Sequence, residues 1–197
     1  MKFTTRELVL LAVFGALWGV IEITLGAVLK ALDVPLSGVA LSSIGLMIAL
    51  IARLFVPVRG ATLFVGVVAM LLKLFSLGGV IIGPMMSIFS EALLAEIVLS
   101  GLGLSRFNFA LAAALGVSWS LVQPFITGPL LLGRTLLDVW ARVITKAAHA
   151  LGLSPQSVLM VAIAFVLVHF LVGGVAGWLA WGFGRRLQYR SQLSVED

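Results

Sequence analysis

Cysteine is absent from the 197 residues. Structural disulfides, thiolate metal sites and cysteine nucleophiles are therefore excluded. Charge is scarce as well, at 11% of positions against 61% hydrophobic, and mean hydropathy is +1.21. A soluble domain carries roughly 25% charged residues and about 45–50% apolar ones, so this composition has no surface to offer water. No H-E-x-x-H, G-x-S-x-G or Walker A pattern occurs, and no Ser/His or Asp/Asp pair stands at matched depth, so the reading is not an enzyme. The formal charge of +5 is read through topology and not as a nucleic-acid signal.

What is present is a series of apolar runs punctuated by charges, glycines and prolines. The fold class this predicts is an all-α integral membrane protein, a single domain over 1–197 with about six transmembrane helices,. The spans fall at 8–29, 36–52, 61–77, 84–99, 109–132 and 157–183. The first run is too long for a signal-peptide core and no small-x-small cleavage site closes it. Residues 78–84 read as a turn, Ser154-Pro155 as a cap before the last span, and the tail from Arg185 as frayed,.

The segment 133–152 differs. Arg134, Asp138, Arg142, Thr145 and His149 recur every three or four residues among Leu136, Leu137, Trp140, Val143, Ile144 and Ala147. That periodicity predicts an amphipathic outer helix, lying at the interface or capping a cavity.

Basic residues set the orientation. With six spans, one side holds eight (Lys2, Arg6, Arg53, Arg59, Arg106, Arg185, Arg186 and Arg190), and the other holds four (Lys30, Arg134, Arg142 and Lys146). The larger set marks the cytoplasmic side and predicts both termini there, in a multi-pass protein of the cell membrane surrounded by lipid.

Polar residues inside an apolar span cost about 2.5–3.5 kcal/mol per charge on insertion scales, and they mark cavities or partners. Glu22, Lys73, Glu91, Gln123 and His169 fall in the outer half or the midplane of different spans, which predicts a pocket open to the outside. Ser87 and Glu91 share a face of span four, and Trp119, Gln123 and Thr127 form one stripe on span five, where Pro124 frees a carbonyl,. These eight residues are the candidate substrate-binding set. An aromatic, an amide, a hydroxyl and a carboxylate suit a small polar aromatic ligand. Structural alternatives stand beside these readings. Lys73 also reads as a lysine snorkelling to the headgroups, or as the ion-pair partner of Glu22, and a histidine such as His169 is more often a helix–helix hydrogen-bonding residue than a ligand-binding one. Glu96 lies about 140° around the helix from Glu91 and faces another neighbour. Ala12-x3-Ala16 and Gly15-x3-Gly19 on span one, and Gly173-x3-Gly177 on span six, are small-residue ridges for close helix approach,.

The opening residues, Thr5-Arg6-Glu7-Leu8-Val9-Leu10-Leu11-Ala12-Val13-Phe14-Gly15-Ala16-Leu17-Trp18-Gly19, resemble the start of substrate-binding S components of energy-coupling factor (ECF) vitamin transporters. The resemblance covers the chain in size and architecture, and in sequence span one alone. It implies a high-affinity binding subunit for a vitamin or its precursor, working with a membrane T component and two ATPases that use ATP. It implies no cofactor in this chain, and it makes Ala12 and Ala16 the contact with the T component. Metal is disfavoured because such S components for nickel or cobalt carry an N-terminal histidine segment, and 1–3 has none. Glu22, Glu91, Gln123 and Trp119 suit a thiamine-type pyrimidine, since carboxylates accept from amino groups and indole stacks on rings. The competing expectation is a self-contained ion- or proton-coupled carrier or channel, with Glu22, Glu91 and His169 as a relay.

Overall fold

A computed structural model of the chain describes residues 3–76, 82–154 and 156–196, with side chains described to residue 190. The described residues are 87% helix, and no strand occurs among them. The helices are α1 (Thr5–Ala31), α2 (Ser37–Phe55), α3 (Ala61–Leu72), α4 (Ile82–Leu102), α5 (Arg106–Leu132), α6 (Leu136–Leu151) and α7 (Val158–Glu196). A single 3-10 turn, Lys73–Phe75, extends α3.

Five of these helices, α1, α2, α4, α5 and α7, are long and apolar enough to cross a membrane. The third apolar run is shorter than the sequence predicts. Its α-helical part stops at Leu72, and the whole apolar segment is Ala61–Phe75. The turn expected at 78–84 falls partly on 77–81, outside the described residues, and α4 already begins at Ile82. Pro155 also lies outside them. The tail is not frayed, because α7 continues through Arg185 to Glu196.

Local chemistry accounts for the helix starts. Thr4 and Glu7 form a reciprocal capping box at α1, with the Glu7 carboxylate accepting the Thr4 amide at 2.7 Å,. Thr135 and Asp138 do the same at α6, and the Ser105 hydroxyl accepts the Asn108 amide at α5. Gly60, at φ 92°, turns the chain into α3 in a left-handed conformation that glycine adopts without strain,.

Small residues then set the packing. A Cβ on Gly15 would stand 2.6 Å from Val68, and one on Gly19 would stand 2.8 Å from Leu72, so the α1 glycine ridge lies against α3. A Cβ on Gly173 of α7 would stand 2.6 Å from the Ala113 carbonyl oxygen on α5, and one on Gly177 would run into the Phe109 carbonyl in the same way. Both ridges thus pack inside the bundle. Outside it, α1 turns Val9, Val13, Leu17 and Val20 outward, each about half exposed or more. An apolar surface of that kind suits lipid.

The ends of the bundle are distinguishable. Phe3 packs on Phe64 of α3, and Gln188 of α7 donates to the Leu54 carbonyl of α2. The start of α1, the end of α2, the start of α3 and the late part of α7 therefore gather at one end. At the other end lie the end of α1, the start of α2, the 3-10 turn and the start of α4.

Candidate functional site

That second end carries a cavity of about 870 Å³, within the range of about 300–1,000 Å³ usual for ligand pockets. Its wall comes from α1, α2, the 3-10 turn, α4 and α5. Five residues singled out from sequence line it together: Glu22, Lys73, Ser87, Glu91 and Gln123.

Glu91 is the deepest charged group, 1% exposed. Its Oε1 accepts the Ser42 hydroxyl from α2 at 2.8 Å and the Ser87 hydroxyl from its own helix at 2.6 Å. The four-residue spacing of Ser87 and Glu91 makes the second bond, and the crossing of α2 over α4 makes the first. Among the described residues Glu91 has no cation within ion-pair distance.

Glu22 and Lys73 form an ion pair across α1 and the 3-10 turn. The Lys73 ammonium lies 3.4 Å from Glu22 Oε1 and donates to the Glu22 backbone carbonyl at 3.1 Å. Lys73 is buried and pairs inward; it does not reach for headgroups. Gln123 donates from Nε2 to the Gly83 carbonyl at 2.7 Å, tying α5 to the first turn of α4. Pro124 has no N–H to give the Ser120 carbonyl one turn back, and Ser120 is in the wall,.

Trp119, Thr127 and His169 are not among the lining residues. Thr127 donates to the Gln123 backbone carbonyl at 3.0 Å, within its own helix. Trp119 Nε1 is buried and finds no partner among the described residues. His169 sits on α7, 3% exposed, with Nδ1 2.8 Å from the Phe165 carbonyl and its ring edge-on to Phe165. Both of these contacts are to a residue one turn back on its own helix. The amphipathic α6 does not cap the cavity either. It packs Val139 on Gly128 of α5, and Ile144, Ala147 and Ala148 near Val161 of α7, while none of its residues lines the wall.

Sequence reasoning missed Ser42, Ser120 and the rim residues Lys30, Ser37 and Ser76. A serine inside an apolar span was the available signal for Ser42 and Ser120.

Below the cavity the bundle is filled. Leu46, Ala49 and Leu50 of α2, Val65 of α3, and Ala92 and Ala95 of α4 are all fully buried. A second polar cluster closes the opposite end. Glu96 accepts the amides of Gly60 and Thr62 at 2.7 and 2.9 Å and the Ser100 hydroxyl, and lies 3.6 Å from the Arg53 guanidinium. It caps α3 from a different helix, which satisfies amides that α3 itself leaves open. Ala12 and Ala16 are half-buried beside the outward valine stripe of α1.

The chain matches no protein-family profile, no curated protein and no solved structure.

Proposed function

We propose that this chain is the membrane-embedded substrate-binding subunit of an ECF-type importer for a vitamin or vitamin precursor. The carrying observation is the cavity that gathers Glu22, Lys73, Ser87, Glu91 and Gln123 at one end of an apolar bundle. Buried polar groups at membrane depth are costly, and a bound ligand is the natural reason to keep them. The filled core beneath the cavity supports a binding pocket over an open channel. The resemblance of residues 5–19 to S components supports the same reading. In this scheme the cavity faces outward, both termini are cytoplasmic, and α1 docks a T component along Ala12 and Ala16. Partner ATPases supply the energy.

Native mass spectrometry of the protein purified from rich medium tests the proposal. A co-purifying small molecule of fixed mass is expected, and the same molecule should raise the melting temperature. A ligand at a thousandfold its Kd adds about 4 kcal/mol to stability. Protein carrying lipid alone, with no melting response to a panel of vitamins and precursors, would sink the idea.

The carrier reading retains one favourable observation, a buried carboxylate in Glu91 without a cationic partner. It requires flux in liposomes containing this chain alone, abolished by Glu91→Gln. A binding subunit gives binding without energised uptake.

A further inference from the structure

Lys30, Ser37 and Ser76 can donate from the rim, but the proton inventory of the inner wall is weighted toward acceptors. A serine hydroxyl has one hydrogen to donate and lone pairs to accept with. In Ser42 and Ser87 that hydrogen goes to Glu91, and in Ser120 it goes to the Val117 carbonyl at 2.9 Å. The three oxygens therefore meet a ligand as acceptors only. Gln123 gives one N–H to Gly83, which leaves its Oε1 as an acceptor and its second N–H as a donor,. Glu91 Oε2 and Glu22 Oε2 hold no hydrogen bond among the described residues. Against these stand, among the described residues of the inner wall, the second N–H of Gln123 and the ammonium of Lys73, already bonded to Glu22 twice.

Charge points the same way. Lys73 balances Glu22, and Lys30 stands exposed at the rim, so Glu91 is the acidic group of the inner wall that lacks a cationic partner among the described residues. The wall contains no aromatic side chain among the described residues. A flat ring finds no stacking surface there, which departs from the pyrimidine suggested by Trp119.

We infer that the ligand carries a compact cationic group rich in N–H donors, an alkylammonium or amidinium, and that this group lodges against Glu91 among the oxygens of Ser42, Ser87, Ser120 and Gln123. Recognition is by charge and donor count, without ring stacking. The inference rests on reading the cavity as a ligand site, and it narrows the class of molecule that enters it.

Four probes test it on the full chain in detergent near neutral pH, read by melting temperature and calorimetry. Putrescine and agmatine present an ammonium and a guanidinium. Cytosine presents an uncharged aminopyrimidine, and sodium chloride a bare cation. Saturable binding of at least one amine is expected, with no response to cytosine or sodium. Glu91→Gln keeps the shape and should weaken amine binding about 10–100-fold, the usual worth of a hydrogen bond to a charged group. Ser120→Ala, a milder change on α5, should weaken it about 2–10-fold. Should Glu91→Gln fail to fold, the Ser120→Ala loss decides.

Cytosine or a neutral vitamin binding equally to the Glu91→Gln protein would overturn the cationic ligand while leaving the binding-subunit reading intact. Stabilisation by sodium alone would overturn it in favour of an ion site. Silence from both amines would overturn it, and silence from the vitamin panel as well would take the binding-subunit reading with it.

Discussion

The indole nitrogen of Trp18 on α1 rests against the bare Cα of Gly45 on α2, where a built Cβ would overlap the ring. Trp18 is 1% exposed and among the largest fully buried side chains of the chain. Its neighbour must therefore be glycine. Gly45→Ala forces the indole out of place, and overpacking of this kind costs about 1–3 kcal/mol. Gly38→Ala, on the same helix with nothing within 4 Å of the new Cβ, is the control and should leave the melting temperature nearly unchanged. A Gly45→Ala protein as stable as the control would show that α1 and α2 are not pressed together here.

Glu91 holds two hydroxyls from different places, so its removal has a structural as well as a ligand-binding consequence. Glu91→Ala leaves the Ser42 and Ser87 hydroxyls without their acceptor in a buried setting. Each such loss costs about 1–3 kcal/mol. The triple variant Glu91→Ala, Ser42→Ala, Ser87→Ala removes the stranded donors and should recover part of the lost melting temperature. No recovery would place the destabilisation in the vacated volume instead.

How far the sequence revealed these sites depended on which partner made each contact. The Ser87–Glu91 bond was legible because both residues lie on one helix, and helical period alone puts them on one face. Ser42, which completes the same carboxylate, is 49 residues away from it, and nothing in an apolar run says which serine will meet which neighbour. The period of α5 correctly put Trp119, Gln123 and Thr127 on one stripe. It could not say that Gln123 alone would reach the wall, because that depends on where α4 crosses. Arg53 reads as a charge ending span two, yet it is 3% exposed, because Glu96 comes from α4 to meet it. The amphipathic period of 133–152 gave α6 its existence, but only part of its buried face: Ile144 and Ala147 are buried on it, while Leu136, Leu137 and Trp140 stay exposed and Val139 and Ala148 take their place. The identity of the surface under that face, α5 and α7 instead of the cavity, is a tertiary fact.

The start of α6 depends on pH through its cap. The Asp138 carboxylate accepts the Thr135 hydroxyl at 2.7 Å and the Thr135 amide at 3.4 Å, and these bonds hold its pKa below the usual aspartate value. A pKa lower in the folded state means that the cap's contribution is complete above the unfolded value, near about 3.9. It is lost as the pH falls through the folded value. Hydrogen exchange at the first-turn amides of α6 should therefore be slow at neutral pH and, after correction for intrinsic rates, less protected near pH ~3. Thr135→Ala should remove that pH dependence, and a dependence that survives it would assign the effect to another group.

Arg53 and Glu96 supply the sharpest test of the closed end of the bundle. Both side chains are nearly inaccessible, and Arg53 Nε and Nη1 find no hydrogen-bond partner among the described residues. The guanidinium therefore depends on Glu96 for compensation, while Glu96 also holds the first amides of α3. Glu96→Gln keeps the size but strands a buried positive charge. Breaking such a pair from one side costs about 3–5 kcal/mol. Replacing both partners with apolar residues of similar volume is often neutral in other buried pairs, but here it would still leave the Gly60 and Thr62 amides uncapped. The double variant Arg53→Met, Glu96→Gln should therefore recover most, but not all, of the single variant's loss in melting temperature, since the glutamine oxygen can still accept one amide. Full loss in the double variant would mean that the capping of α3, and not the charge on Arg53, is what Glu96 provides.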